Sequence, residues 1–192
     1  MWWARLLNSI VALYDAGGAA GGGTSYESIA TVTSSGSSNS LSFTSIPSTY
    51  QHLQIRAITR DTGASYGYNV YMRFNSDSGS NYTYHGLEGN GSAASAFGSS
   101  AATTQFPFAV SSGGANAAGT FAPIVCDILD YANSNKYKVH RTLNGYDDNG
   151  SGYIEFRSGV WLNTAAVSTI TLLSTGSNFA NNTQFALYGL KG

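Results

Sequence analysis

The stretch that decides the fold runs from residue 121 to residue 173 and reads FAPIVCDILDYANSNKYKVHRTLNGYDDNGSGYIEFRSGVWLNTAAVSTITLL. Apolar residues alternate with others along it, as in Ile124, Cys126 and Ile128. Alternation with period two, broken by turn residues at short intervals, is typical of an antiparallel sheet in a sandwich or barrel. The segment Asn144–Gly152 holds two Asn-Gly dipeptides and an Asp pair, which favours a hairpin connection. Four strands are predicted here: Phe121–Tyr131, Lys136–Leu143, Tyr153–Asn163 and Val167–Leu173.

The same alternation continues on both sides of this stretch. It predicts seven further strands: Tyr26–Thr33, Leu41–Ile46, His52–Arg60, Tyr66–Phe74, Tyr82–Leu87, Gln105–Val110 and Gln184–Leu190. Pro107 cannot donate to a strand ladder, so Gln105–Val110 is predicted to lie at a sheet edge. The Ala/Ser-rich segment Ser92–Thr104 is predicted to be a long surface loop. The pattern therefore predicts an all-β fold over residues 25–192, an antiparallel β-sandwich of a jelly-roll-like kind.

The residues that precede this body have a different character. Apolar side chains at helical spacing predict that Met1–Asp15 is a short helical or extended anchor, followed by a flexible Gly/Ala linker from residue 16 to residue 24. A signal peptide is an alternative that the polar Asn8 and Ser9 disfavour, and a transmembrane helix would need about 20 apolar residues. Adjacent tryptophans favour docking on another protein. The predicted contact residues are Trp2, Trp3, Leu6, Leu7, Ile10 and Tyr14.

Composition narrows the classes of partner. Only 10% of the residues are charged and the net charge is -1, so the chain carries no basic stripe for nucleic acid. Lys136, Lys138 and His140 would share one strand face, which is predicted to be solvated. The single cysteine, Cys126, cannot form an internal disulfide and is predicted to be a small buried residue. No nucleic-acid or membrane partner is expected.

Residue types that perform catalysis or bind metals are scattered. The chain has no Gly-x-Ser-x-Gly motif, and its histidines, His52, His85 and His140, are far apart in sequence. Asp127 and Glu155 are predicted to lie on neighbouring strands, but nothing in the pattern directs both into one cleft. Asp147–Ser151 resembles a fragment of a calcium loop, although a hairpin turn explains it equally well. No catalytic residue, metal ligand or cofactor is predicted, and the chain is expected not to be an enzyme.

Tyrosines concentrated between residues 66 and 84 are candidates for carbohydrate binding. Tyrosine rings with amide neighbours such as Asn69 can stack on sugars and bond to their hydroxyl groups, although tyrosine is also common on the strands of structural β-proteins. The candidate residues are Tyr66, Tyr68, Tyr71, Tyr82 and Tyr84.

Several elements in order carry a resemblance to a known group of proteins. They are SIPSTY at 45–50 leading into His52–Arg60, RFNSDSGSNY at 73–82, DYAN at 130–133 with KYK at 136–138, GVWLNTAAVSTI at 159–170 and FALYGL at 185–190. From about Tyr26 to Lys191 the chain resembles a family of tailed-phage virion proteins. The resemblance implies a structural role in the particle, as a head-decoration or tail-fibre-like component, and implies no catalytic residues.

Two functional hypotheses follow. In the first, the N-terminal arm docks on other virion proteins of the capsid or tail, and the sandwich is displayed on the particle surface as a homo-oligomer, expected to be a trimer. No coiled-coil or β-repeat shaft is visible, which favours capsid decoration or a compact tip over a long fibre. In the second, the tyrosine-rich segment binds a host surface glycan during attachment.

Overall fold

The structure is a computed structural model that describes residues 25–192; the predicted anchor and linker lie outside the described residues. The described part forms twelve strands and no helix. The strands are β1 (Tyr26–Thr33), β2 (Ser40–Phe43), β3 (His52–Thr59), β4 (Gly67–Phe74), β5 (Tyr82–Gly89), β6 (Ala94–Gly98), β7 (Phe106–Ser112), β8 (Ala122–Leu129), β9 (Lys138–Asp147), β10 (Gly152–Trp161), β11 (Ile170–Ser174) and β12 (Gln184–Leu190).

The strands build two antiparallel sheets of unequal size. The large sheet has eight strands in the order β1-β12-β3-β8-β9-β10-β5-β6, and the small sheet has four in the order β2-β11-β4-β7. The predicted all-β antiparallel fold is confirmed, and the arrangement is that of a β-sandwich. Because the small sheet is narrower, it ends at β7, while β5 and β6 continue the large sheet beyond it.

The core lies between the two sheets and is rich in aromatic side chains. Trp161 packs edge-on against Phe74 and stacks with Tyr82, and Phe106 packs against both Phe74 and Tyr82. Cys126 is fully buried, as predicted, and burial raises the pKa of its thiol to about 12. Alternate residues of the strands supply this core, which is why period-two alternation located most of them.

Pro107 lies on β7, and β7 is an edge strand that pairs with β4 alone. The edge position predicted from the missing N–H donor is therefore confirmed. The β4–β7 register also shifts between Val70 and Tyr71. Ala109 and Pro107 pair with these two consecutive residues of β4, and Phe108 between them has no pairing partner on β4. Such a bulge is another place in a sheet where proline is tolerated.

Several boundaries differ from the prediction; β2, for example, ends at Phe43 rather than at Ile46. Ser92–Thr104 is not all loop, because β6 forms there by pairing with β5. Most of Asn144–Gly152 is strand, and β9 and β10 remain paired up to Asp147 and Gly152. The connecting turn is confined to residues 148–151, where Asn149 and Gly150 adopt the positive φ that an Asn-Gly turn favours. The last strand of the 121–173 stretch begins at Ile170 rather than Val167.

The prediction of a solvated face at Lys138 and His140 is wrong, since both side chains are fully buried. The Lys138 ammonium donates to the carbonyls of Asn133 and Lys136, both at 2.6 Å, and of Thr164 at 2.9 Å. The imidazole of His140 packs against Phe106 with ring centroids 4.4 Å apart. Burial is possible because each buried donor of the lysine finds a carbonyl partner.

Candidate functional site

A polar groove opens where the large sheet extends beyond the edge of the small one. Its volume is about 270 Å³. β4 and β7 form one wall, and β10, β5 and β6 supply the floor and the opposite wall. The lining side chains are mostly aromatic or polar, and those that matter for binding are Asn69, Tyr71, Tyr84, Glu88, Phe97, Tyr153, Glu155 and Arg157. This is a concave site with aromatic walls and convergent polar groups.

A buried ion pair forms the floor of the groove. Glu155 and Arg157 are two residues apart on β10, so both point inward, and they are only 2% and 3% exposed. Arg157 Nε donates to Glu155 Oε2 at 2.7 Å, and Arg157 Nη2 donates to Glu155 Oε1 at 2.9 Å. The same guanidinium donates to the Pro107 carbonyl and to Asn69 Oδ1, both at 3.0 Å. The pair therefore ties β10 to both strands of the facing wall.

An aromatic ring from β6 covers this guanidinium. The Arg157 Cζ atom lies 5.0 Å from the centre of the Phe97 ring, in cation–π geometry. The ring reaches it across Gly86, which pairs with both Arg157 and Phe97. A Cβ atom on Gly86 would lie 2.3 Å from the Phe97 ring, so this contact requires glycine at that position.

The negative and positive charges that line the groove do not cancel. Glu155 and Arg157 neutralise each other, and the remaining carboxylate is that of the exposed Glu88, which accepts a hydrogen bond from Ser95 at 2.8 Å. Burial, followed by the nearby Glu155 charge, raises the pKa of Tyr153, so its hydroxyl group remains protonated. The groove therefore presents hydroxyl, amide and carboxylate groups with one net negative charge.

The structure separates the candidate tyrosines. Tyr71 and Tyr84 both line the polar groove, although they are distant in sequence. Tyr66 is 60% exposed and does not line it, and the hydroxyl group of Tyr68 accepts a hydrogen bond from Ser65 N at 3.0 Å. Tyr82 is a core residue whose hydroxyl donates to the Asp77 carbonyl at 3.0 Å. Only two of the five tyrosines thus share a site.

A second candidate surface is the outer face of the large sheet, which carries two adjacent apolar rows. Cross-strand pairing places Val125, Leu143, Phe156 and Leu87 side by side on β8, β9, β10 and β5. Their side chains are between 41% and 59% exposed. The next row contains Ile58, Pro123 and Ile154. An open groove of about 690 Å³ is lined by Pro123 and Ile154 together with Val125 and Leu143 of the first row. Exposed apolar groups so arranged are typical of an interaction surface.

Asp127 and Glu155 do not form a carboxylate pair. The prediction that they lie on neighbouring strands is wrong, because β9 separates β8 from β10. Asp127 is on the outer face and accepts a hydrogen bond from Gln54 Nε2 at 2.7 Å, whereas Glu155 points into the groove. The two carboxylates are on opposite faces of the sheet.

The remaining metal-ligand candidates, Asp147 and Asp148, have structural partners. The Asp147 carboxylate accepts from Asn149 N at 3.1 Å within the turn, and the Asp148 carboxylate accepts from Ala117 N at 3.2 Å. In the described residues no three His, Cys, Asp or Glu side chains are grouped as metal ligands. Residues 25–192 also contain no helix with the length and apolar character needed to cross a membrane.

Comparison with known proteins adds no family: no protein-family model matches the chain, and a search of curated proteins finds no match.

Four residues that line the groove were not predicted to be binding-site residues: Glu88, Phe97, Glu155 and Arg157. A signal for Glu155 and Arg157 was present, because both share the odd-numbered side of β10 with Trp161, a large aromatic residue expected in a core. Since successive side chains of a strand alternate, burial of Trp161 turns both charged residues inward. The apolar Ile154 and Phe156 then necessarily face outward.

Proposed function

We propose that this chain is a non-enzymatic structural protein of a bacteriophage particle. The residues from Met1 to Asp15 attach it to other virion proteins of the capsid or tail, and the sandwich is displayed on the particle surface. The virion assignment rests on the resemblance described above, and the single structural observation that supports an assembly role is the pair of apolar rows on the outer face of the large sheet. The compact body favours capsid decoration or a short tip.

The outer face is proposed to hold copies of the chain together, as a trimer. Six of its apolar side chains are between 41% and 60% exposed, and contiguous exposed apolar groups typically mark interaction surfaces. A standard interface covers roughly 800 Å² on each partner. A neighbouring polar row, which contains Asp127 and Arg141, extends the surface that such a partner would cover. Because only 10% of the residues are charged, few charged side chains are available to prevent these apolar rows from associating.

The order of the strands supports a finer description, a jelly roll with an extension. Strands β1, β12, β3 and β8 are consecutive in the large sheet, and β2, β11, β4 and β7 form the small one. Along the chain, the strands of these two groups alternate except where β7 follows β4 within the small sheet, as in a jelly roll. The other four strands, β9, β10, β5 and β6, extend the large sheet on the side of β8. We propose that this extension is the part specialised for contacts.

Sedimentation of the full chain tests the role of the outer face. Leu143→Lys and Leu87→Lys each place a charge in an exposed apolar row and should leave the fold intact, because surface substitutions usually change stability by less than about 0.5 kcal/mol. Tyr137→Lys is the matched control, since Tyr137 is similarly exposed but lies outside the strands of the rows. We expect the unmodified chain and the control to be oligomers and both row variants to dissociate. A monomeric unmodified chain would exclude this interface.

Incorporation into particles tests the role of the N-terminal segment. A Trp2→Ser/Trp3→Ser variant should remain folded and should be missing from purified particles assembled in its presence. Retention at the unmodified level would contradict attachment through this segment. Measuring the oligomeric state of the same variant separates attachment from self-association.

Recognition of a host glycan is a second candidate function. The observation that favours it is the placement of Tyr71 and Tyr84 in one groove with Glu88 and the Glu155–Arg157 pair. Binding of the full chain to a panel of host surface polysaccharides tests this function, and the absence of binding across the panel would count against it.

A further inference from the structure

We propose that the polar groove binds a single sugar ring, neutral or amino-substituted, and excludes acidic sugars. This inference rests on the second candidate function and assigns that function to a particular site. The ligand would bind in the groove between β4–β7 and β10–β5–β6, and not along the whole tyrosine-rich segment between residues 66 and 84.

The size and walls of the groove fit a small, flat, polar ligand. Its volume of about 270 Å³ is close to the lower end of the ~300–1,000 Å³ found for drug-sized ligands, which suits one ring better than an extended chain. The rings of Tyr71, Tyr84 and Phe97 line it. A sugar offers C–H groups on its ring faces and hydroxyl groups around its rim, so it can pack on aromatic faces while bonding to polar groups.

The polar groups are already oriented before a ligand arrives. Arg157 uses four of its donor positions on Glu155, Pro107 and Asn69, which holds these groups in one geometry. A guanidinium has five N–H donors, so one remains for a ligand oxygen. Glu155 Oε1 accepts one of these bonds and can accept another from a hydroxyl group. A ligand with several hydroxyl groups matches this mixture of donors and acceptors.

The charge of the groove determines which sugars it accepts. The Glu155–Arg157 pair is neutral overall, and the exposed Glu88 leaves one net negative charge. A uronic or sialic acid would bring another carboxylate beside Glu88, and Glu155 already balances the charge of the guanidinium, so the ligand carboxylate would be repelled. A neutral hydroxyl group or an ammonium group would instead donate to Glu88. Phosphorylated ligands such as nucleotides are disfavoured for the same reason.

Saturation-transfer NMR of the full chain with single sugars tests the proposal. The probes are glucose, galactose and glucosamine, with glucuronic acid as the acidic counterpart. We expect at least one of the first three to bind and glucuronic acid to bind at least about tenfold more weakly. Tyr71→Ala and Glu88→Gln should each weaken binding of the neutral or amino sugar by about tenfold or more. Because Glu88 is exposed, Glu88→Gln keeps the test valid even where Tyr71→Ala disturbs folding.

Tyr66→Ala is the matched control, since it removes an exposed tyrosine of the same segment that does not line the groove. Unchanged binding in this control, with losses in the two groove variants, would support the assignment. Binding that depends on Tyr66 and is unchanged in both groove variants would show that the groove is not the binding site. It would remain consistent with glycan recognition elsewhere on the chain. Absence of binding to all three neutral and amino sugars would overturn the groove, and the polysaccharide panel would then decide the broader function independently.

Discussion

Removing one member of the buried Glu155–Arg157 pair is expected to cost more stability than replacing both. In Arg157→Met the Glu155 carboxylate stays 2% exposed and loses two hydrogen bonds, of 2.7 and 2.9 Å. Leaving a buried charge without its partner typically costs about 3–5 kcal/mol. For a domain of this size each kcal/mol lowers Tm by roughly 2–4 °C, so the expected loss is roughly 6–20 °C.

The double variant Glu155→Leu/Arg157→Met removes both charges and roughly preserves volume. Replacing a buried pair by apolar residues is often close to neutral in stability. The Pro107 carbonyl and Asn69 Oδ1 still lose their donor, so we expect the double variant to cost about 1–2 kcal/mol. It should therefore be more stable than Arg157→Met although it carries one more substitution.

Urea unfolding of the full chain, monitored by circular dichroism, measures both values. Ser158→Ala is the control, because Ser158 is an exposed neighbour on the same strand. The slope of unfolding free energy against urea should be unchanged, which shows that only stability has altered. A loss below about 1 kcal/mol in Arg157→Met would mean that water reaches the pair. A double variant as unstable as the single one would refute the argument from an uncompensated charge.

Two further predictions concern residues beside this pair. Burial, followed by the charge of Arg157, lowers the pKa of His140 to about 3, whereas the same imidazole in the unfolded chain binds a proton near pH 6.5. The free energy of unfolding should therefore fall by up to about 1.4 kcal/mol per pH unit as the pH drops from 6.5 to 5. Urea unfolding of His140→Asn should lack this pH dependence. Gly86→Ala should lower the free energy of unfolding, measured by thermal denaturation, by about 1–3 kcal/mol because its Cβ displaces Phe97. Gly89→Ala is the control and should leave stability unchanged, because its Cβ would lie 4.0 Å from its nearest neighbour. Equal effects of the two substitutions would contradict the proposed packing.

The fold could be predicted because its strands obey local rules. Alternation is strong wherever a strand contributes to the core, and proline at residue 107 and the Asn-Gly dipeptide at 149–150 mark an edge and a turn by backbone chemistry alone. The strand β6 could not be predicted in this way. Its Ala/Ser sequence has weak β-propensity, and it forms because the turn after β5 folds the chain back to pair with it.

The candidate site was harder to predict because it depends on which strands become neighbours. Tyr71 and Tyr84 meet only because β4 and β5 belong to different sheets that face each other at the edge of the sandwich. The interpretation of Lys138 and His140 failed for a related reason: it assumed that polar residues face water. In β9 the side that faces the core is mostly polar, whereas the side that faces outward carries Leu143. A prediction from hydrophobicity alone therefore exchanges the buried and the exposed face.

The extension of the large sheet explains why both candidate surfaces occur together. An eight-strand sandwich of two equal sheets would cover its inner faces completely. Adding β9, β10, β5 and β6 to one sheet alone leaves an inner surface that the small sheet covers only as far as β7, and the polar groove occupies that margin. The same four strands carry most of the outward apolar row, including Leu143, Phe156 and Leu87. The proposed self-association on one face and the proposed ligand binding on the other can therefore be tested separately, since Leu143→Lys and Glu88→Gln alter opposite sides of the same extension.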